Sequence, residues 1–327
     1  SDLVPSEPIF DMYPVGFSTM ASYLQKAGIR TRIANLAAAM VRSEHFDVER
    51  FIARRGARVF GIDLHWLPHA HGSLAVAELV KRHHPEAPVL FGGFSSSYFH
   101  DELIRYPQVD YVLRGDSTEE PLRRLMEHLL ATSGAADPTV LSQIPNLTWQ
   151  DEEGTVHANP QAYVPPSLDH LDMDYRQMVR SVVRSGDFFN HVPFDHWMDY
   201  PAMAALSVRG CRNNCGYCGG SAYASDLISN RSAPAYRSPE KLAEDLFRMY
   251  EISRGPAFIL GDIRQAGMDH ARRFLEAVKG YPGQAMLEVF TPMSRAFAEE
   301  LAEALPNFVI EFSPESHDPA VRRALHK

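Results

Sequence analysis

Residues 203–221 read MAALSVRGCRNNCGYCGGS, and this stretch decides the architecture of the chain. The 327 residues include 3 cysteines, and Cys211, Cys215 and Cys218 all lie within it. Spacings of four and three residues let three thiolates wrap one compact inorganic centre, but leave a four-iron cluster one ligand short. An iron without a protein ligand can bind a substrate. The apolar run MAALSV suits a buried strand. Downstream, SPEKLAEDLFRMY places Ser238 at a helix N-cap and Pro239 in the first turn. Strand, cysteine loop and helix make the first unit of a β/α barrel, whose reactive face lies at the C-terminal strand ends.

Cys-x-x-x-Cys-x-x-Cys with an aromatic, Tyr217, before the last cysteine resembles the signature of the radical S-adenosylmethionine (SAM) enzymes. The resemblance implies a 4Fe-4S cluster on Cys211, Cys215 and Cys218. Its open iron would chelate the amino and carboxylate groups of SAM, and one electron would cleave SAM to a 5′-deoxyadenosyl radical. It also implies an electron donor such as a flavodoxin or ferredoxin. Further SAM contacts follow from the same resemblance. Tyr217 would stack near adenine, and Gly219 and Gly220, with Ser221, would offer backbone donors to the methionine moiety. Asp262, after the strand AFILGD, would accept from the SAM amino group in place of a Gly-Gly-Glu-like turn. Ser313 and Glu315, after FVIEF, would meet ribose or substrate. Arg209 and Arg212 flank the cysteines and can tune the cluster. Each of these positions has an ordinary turn or packing role as its alternative.

A structural zinc site is the competing metal reading. It needs a fourth ligand, for which His191 and His196 lie upstream, but the paired Cys-x-x-Cys knuckles of such sites are absent. Three thiols with no secretory signal argue against disulfides.

A length of 327 residues with 45% hydrophobic content can bury two cores. The net charge of −9, without a basic run interleaved with aromatics, excludes the electrostatic footprint of a nucleic-acid binder. No window approaches the roughly 20 apolar residues of a membrane span, and SDLVPSEPIFDMYP is not a signal peptide. A cytoplasmic protein is expected.

Ahead of the cysteines, strands and helices alternate. Helices are expected over GFSTMASYLQKA, DVERFIARR, SLAVAELVKRHHP, YFHDELIRYP and STEEPLRRLMEHLL, and strands over TRIANLA, RVFGI, PVLFGG and VDYVL. This rhythm argues for a doubly wound parallel sheet, with its ligand crevice at the strand ends. There, Gly92-Gly93 and the hydroxyls of FSSSY, Ser95 among them, can let a large flat ligand approach the backbone. Together with Arg114-Gly115-Asp116, they resemble the Rossmann-like cobalamin-binding domain that precedes many radical SAM enzymes. Gly92, Gly93, Ser95, Gly115 and Asp116 would then line the corrin, although Asp116-Ser117 stands where that family more often has Glu-Gly. Asp63-Leu-His65 resembles the Asp-x-His motif of cobalamin mutases, but Pro68 replaces its glycine. His65 is therefore read as a corrin-lining or packing residue, with cobalt ligation as the alternative.

Three parts are expected: a cobalamin-binding-like domain over 1–130, a linker with a hairpin near Glu153-Gly154 over 131–200, and a partial TIM-like radical SAM barrel over 201–327. The first strand of the first domain and the last units of the barrel look missing, as though the chain were truncated at both ends. The resemblance implies a cobalamin-dependent radical SAM methyltransferase acting on an unactivated carbon of a small-molecule, peptide or lipid substrate. A radical SAM cyclase, rearrangement or sulfur-insertion enzyme is the first alternative, and a non-catalytic metal, cluster or corrinoid-binding protein the second.

Overall fold

The computed structural model describes residues 15–132, 134, 136–176, 179, 180, 183 and 202–327. His191 and His196, weighed above as zinc ligands, lie outside the described residues, as does much of the expected linker after residue 176. The protein is mixed α/β, with two main sheets.

The first sheet runs in the order β1 (Phe60–Asp63), β2 (Val89–Gly92), β3 (Tyr111–Leu113), β4 (Leu147–Gln150) and β5 (Val156–Ala158). The first three strands are parallel, and β4 and β5 add antiparallel. The hairpin expected near Glu153-Gly154 therefore extends this sheet instead of standing apart from it. Helices cover both faces. Leu90, Tyr111 and Leu113 pack with Leu24 of α1 (Val15–Lys26) and with Leu122, Leu125 and Leu129 of α7 (Glu119–Ala131). On the other face, Val89, Phe91 and Val112 meet Ile52 of α3 (Val48–Ala53) and Ala77 and Val80 of α4 (Ala70–His83). A strand covered on both faces needs apolar residues at every position, which is why VLF and YVL do not alternate with polar residues.

Two local expectations differ from the structure. TRIANLA forms no strand, and helix α2 occupies Leu36–Arg42. The run LAAA favours helix, because alanine loses no side-chain entropy there, and this outweighs the β-branched Thr31 and Ile33. The single helix expected over YFHDELIRYP is two short ones, α5 (Phe94–Tyr98) and α6 (His100–Leu103). A short helix α8 (Pro138–Leu141) precedes the hairpin.

The second sheet is parallel throughout, with strands in sequence order: β6 (Met203–Leu206), β9 (Ala257–Leu260), β10 (Ala285–Val289) and β11 (Phe308–Phe312). Helices α10 (Pro239–Ile252), α11 (Met268–Ala277) and α12 (Arg295–Ala304) connect them, and α13 (Pro319–Ala324) follows β11. One side of these strands packs on the helices through Met203, Ala205, Leu246, Ile259, Phe274, Leu287 and Leu301. Burying a side chain the size of Phe274 contributes about 1.5–3 kcal/mol. Between β6 and α10, a short ribbon of β7 (Val208–Arg209) and β8 (Ala235–Tyr236) closes on helix α9 (Ala222–Ser229). Sequence periodicity did not reveal α9. The ribbon and α9 together carry the cysteine loop.

Candidate functional site

The three parallel strands of the first sheet end in three loops that are tied to one another. After β2 the chain turns at Gly93, where φ is +114° and a β-carbon would stand 2.7 Å from backbone atoms of Leu64 and His65. Only glycine fits there, because the loop after β1 lies against it. The serines that follow hold that packing. Ser95 Oγ donates to His65 O at 2.9 Å, Ser96 Oγ to Gly92 O at 3.1 Å, and Ser97 Oγ to Gly93 O at 2.8 Å. Gly115 N–H, from the loop after β3, donates to Ser97 Oγ at 2.9 Å. The hydroxyls expected to be offered to a ligand thus first brace the crevice rim, and Ser95 is among them. Gly92 has open space where a side chain would project.

His65 sits at this rim between Trp66 and Phe94, with ring centroids 4.8 and 4.6 Å away. Burial pushes its imidazole below its ordinary value, with Asp63 opposing. Burial in turn pushes the Asp63 carboxyl up, against a hydrogen bond from the His65 backbone. A half-buried neutral imidazole among aromatic rings suits contact with a flat macrocycle. Trp66 is exposed beside it, and Tyr98, at the end of α5, is exposed as well.

A buried carboxylate needs a cationic partner, and the Asp116 partner is Arg231, with Nε to Oδ2 at 2.5 Å and Nη2 to Oδ1 at 2.9 Å. The carboxylate expected from the sequence beside the corrin is thus engaged by Arg231. The second buried pair of this region joins Glu119, at the start of α7, to Arg209, with Oε1 to Nη2 at 2.6 Å and Oε2 to Nη1 at 3.0 Å. Thr19 of α1 adds its hydroxyl to Glu119 Oε1 at 2.8 Å. Burial opposes the charge on Glu119, but Arg209 outweighs it and holds the carboxyl below its usual range. Arg209, read from the sequence as an arginine tuning the cluster, is tied to the first domain.

The cysteine loop begins directly after Arg209. Three N–H groups point at sulfur: Asn213 N and Gln265 Nε2 at Cys211 Sγ, at 3.4 and 3.3 Å, and Gly220 N at Cys218 Sγ, at 3.4 Å. Such donors favour thiolate over thiol, which is the form that binds iron. Cys215 is buried, Cys218 is exposed, and burial raises the Cys215 thiol. Among the described residues, no group of three His, Cys, Asp or Glu stands close enough to hold a single metal ion, and that includes these thiols. In a four-iron cluster each thiolate binds its own iron, so this donor set fits such a cluster by type, spacing and N–H···S support. Ser221 caps α9 through Ala224 N–H at 3.2 Å, and Gly219 has no neighbour where a side chain would lie.

Other expected SAM contacts divide. Tyr217 and Glu315 are brought together. Burial and a hydrogen bond to Glu315 raise the Tyr217 phenol, and that bond lowers the Glu315 carboxyl, which Lys327 Nζ also approaches at 3.2 Å. Glu315 takes up φ of +65°, a costly conformation for a residue with a side chain. Ser313 N–H donates to Val289 O at 3.2 Å, at the end of β10. Asp262, however, is fully engaged within the protein. Its Oδ1 accepts from Arg264 N and Nε at 3.0 and 2.9 Å, and its Oδ2 from Arg264 Nη2 and Phe290 N at 2.6 and 3.1 Å. The carboxylate expected from the sequence to accept from SAM thus already accepts four hydrogen bonds within the protein. The sequence reading missed Glu288 of β10, which accepts from Gly261 N–H. Burial pushes its carboxyl up, and Glu311 and Asp262 reinforce the shift. It is an acidic residue in an otherwise apolar strand, AMLEV, which is the signal that could have found it.

Comparison with known proteins agrees with both halves of this geometry. Residues 6–123 match the family model of the B12 binding domain. Over 180 residues, the chain is 22% identical to the anaerobic magnesium-protoporphyrin IX monomethyl ester cyclase of Synechocystis sp., covering 54% of this chain and 31% of the cyclase. Its fold matches the radical S-adenosylmethionine methyltransferase TsrM from Kitasatospora setae, solved with cobalamin and a 4Fe-4S cluster bound. The TM-score is 0.69 at 16% identity, covering 95% of this chain and 57% of that one. With tryptophan substrate and the SAM analogue aza-SAM bound, the same enzyme matches at a TM-score of 0.67 and 15% identity, covering 95% and 58%. The chain thus spans less than three fifths of the methyltransferase and about a third of the cyclase. Residues 6–123 thus match the B12 binding domain, and the chain has the fold seen in TsrM.

Proposed function

We propose that this protein is a cobalamin-dependent radical SAM enzyme that transfers a methyl group to an unactivated carbon. The observation that carries the reading is the junction of the two domains. The cysteine loop is bracketed by Arg209 and Arg231, and both bind the turn at the end of β3 in the B12-binding domain. Helix α9, directly after the cysteines, packs against α5, which starts at the Gly93 turn. A group on the cysteines and a group over the crevice rim would therefore serve one cavity.

Bound there, a 4Fe-4S cluster with SAM supplies radical chemistry, and cobalamin supplies methyl transfer. The chain's own residues bind and orient. Cys211, Cys215 and Cys218 would ligate iron, and Gly92, Gly93, Ser95, Gly115, Asp63 and His65 would shape the corrin seat. Tyr217, Gly219, Gly220, Ser313 and Glu315 would surround SAM. Glu288, with its raised carboxyl at a strand end, takes the place of Asp262 as acceptor for an ammonium group. Exclusion of water and oxygen falls to the apolar rim of Trp66, Phe94 and Tyr98. The substrate would be a small molecule, peptide or lipid, and the electron donor a flavodoxin or ferredoxin.

The similarity to a cyclase favours a second reading, in which the same radical chemistry closes a ring without methyl transfer. Protein reconstituted without oxygen with iron, sulfide and hydroxocobalamin separates the two. Retained cobalt, together with 5′-deoxyadenosine and S-adenosylhomocysteine formed from SAM under reduction, supports the methyltransferase. SAM cleavage without retained cobalt or S-adenosylhomocysteine supports the second reading. No SAM cleavage overturns both.

A further inference from the structure

Ser117 Oγ lies between two guanidinium groups. Arg209 Nη1 and Arg231 Nη2 both donate to it at 3.1 Å, and the hydroxyl itself donates to Asp116 Oδ1 at 3.0 Å. The serine is 1% exposed. Two like charges converging on one buried neutral oxygen would repel strongly if unpaired. Here each carries its own bidentate carboxylate, Glu119 for Arg209 and Asp116 for Arg231. The planar fork of an arginine on a carboxylate fixes orientation as well as contact.

The sequence positions give this network its meaning. Arg209 stands two residues before Cys211, and Arg231 follows α9, so segment 209–231 contains all three cysteines. Both of its ends are anchored to one four-residue turn, 116–119, at the end of β3. The anchors also touch each other's segment. A β-carbon on Gly210, where φ is +79°, would stand 2.7 Å from Arg231 Cδ, so the entry to the loop lies against the arginine at its exit. A single anchor would leave the loop free to pivot. Two anchors sharing one oxygen do not.

We propose that Asp116, Ser117 and Glu119 form a positioning clamp that sets where the cysteine loop sits over the B12-binding domain. Resting on the function proposed above, the clamp also sets the separation between cluster and cobalamin. These are positioning residues, acting through Arg209 and Arg231. A third buried pair, Arg237 with Asp245, has similar burial but binds the carbonyls of Leu168 and Leu171 and does not touch the turn. It supplies the control for a merely structural role.

The test compares wild type, the Asp116→Asn/Glu119→Gln double variant and Asp245→Asn by hydrogen–deuterium exchange, without added cofactors. The clamp predicts about tenfold or faster exchange of amides 208–221 in the double variant, with β2, β3, β9 and β10 protected as in wild type. Asp245→Asn is expected to lower Tm without that local change. Unchanged loop exchange in the double variant, or an equal rise in Asp245→Asn, overturns the proposal. If the double variant does not fold, Ser117→Ala, which keeps both ion pairs, must still raise loop exchange, and no rise overturns the clamp. In protein loaded with both cofactors, the clamp predicts a broader distribution of spin–spin coupling between cob(II)alamin and the reduced cluster in the double variant. A wild type that takes up neither cofactor counts against the proposed function, while the exchange result still decides the clamp.

Discussion

Gly93 and His65 are in backbone contact across the crevice rim: a β-carbon on Gly93 would stand 2.7 Å from His65 N. Both the contact and φ of +114° forbid a side chain there. Gly93→Ala is expected to cost at least about 1–3 kcal/mol through backbone strain alone. It should also displace His65 and weaken cobalamin retention. Thermal unfolding and the cobalt content after gel filtration check this, with Gly92→Ala, which meets open space, as the milder comparison.

Arg237 and Asp245 form a pair whose side chains are 4% and 2% exposed. Removing one partner leaves a buried charge, so Arg237→Met should cost about 3–5 kcal/mol. The double variant Arg237→Met/Asp245→Leu should recover only part of that loss: an apolar pair has no charge to desolvate, but the carbonyls of Leu168 and Leu171 still lose their donor. Denaturant unfolding of the three proteins measures both steps.

Two carboxylates of α7 make acid stability depend on the junction of α1 and α7. Arg123 and Arg124 hold Glu120 down to about 2, against an ordinary value of 4.5, with Tyr23 also donating to it. Arg209, with Thr19, holds Glu119 below its ordinary value despite burial. A folded pKa below the unfolded one adds stability above the unfolded value, and that stability is lost as pH falls through the folded value. The contribution should therefore be intact at neutral pH and disappear between about pH 4.5 and 2. Tm measured across that window should fall less steeply in Glu119→Gln/Glu120→Gln than in wild type, from a lower neutral value.

Asp262 binds Arg264 and the Phe290 N–H, whereas Glu288 accepts from Gly261 N–H, so the two carboxylates should respond differently to neutralisation. Asp262→Asn should destabilise by about 1–3 kcal/mol, because Arg264 and Phe290 N–H lose an ionised acceptor. Glu288→Gln keeps an acceptor for Gly261 N–H and should leave Tm near wild type while weakening SAM binding. Calorimetric titration with SAM and thermal unfolding distinguish the two.

The sequence made some of this legible and hid the rest, for identifiable reasons. Cys211, Cys215 and Cys218 announce themselves because one loop carries them all. The continuous apolar runs VLF and YVL mark strands covered on both faces, and Ser238-Pro239 marks a helix start. By contrast, the Asp116–Arg231 pair joins positions 115 residues apart, and nothing local signals it. Ser95, Ser96 and Ser97 looked free to bind a ligand, because back-bonding to Gly92, Gly93 and His65 exists only once two loops pack. TRIANLA misled because its β-branched residues sit beside a helix-forming alanine run. Ser117 stands where the resemblance implied a glycine, and its hydroxyl is the oxygen shared by two arginines.

The central claim is that one junction seats a cobalamin and a SAM-binding cluster together. Electron paramagnetic resonance of the reconstituted protein, before and after dithionite and with and without SAM, tests it most directly. The account predicts a cob(II)alamin signal together with a reduced four-iron signal that SAM perturbs, the cluster signal being lost in Cys215→Ala. A cluster signal indifferent to SAM, or cobalt that does not stay with the protein, would contradict it.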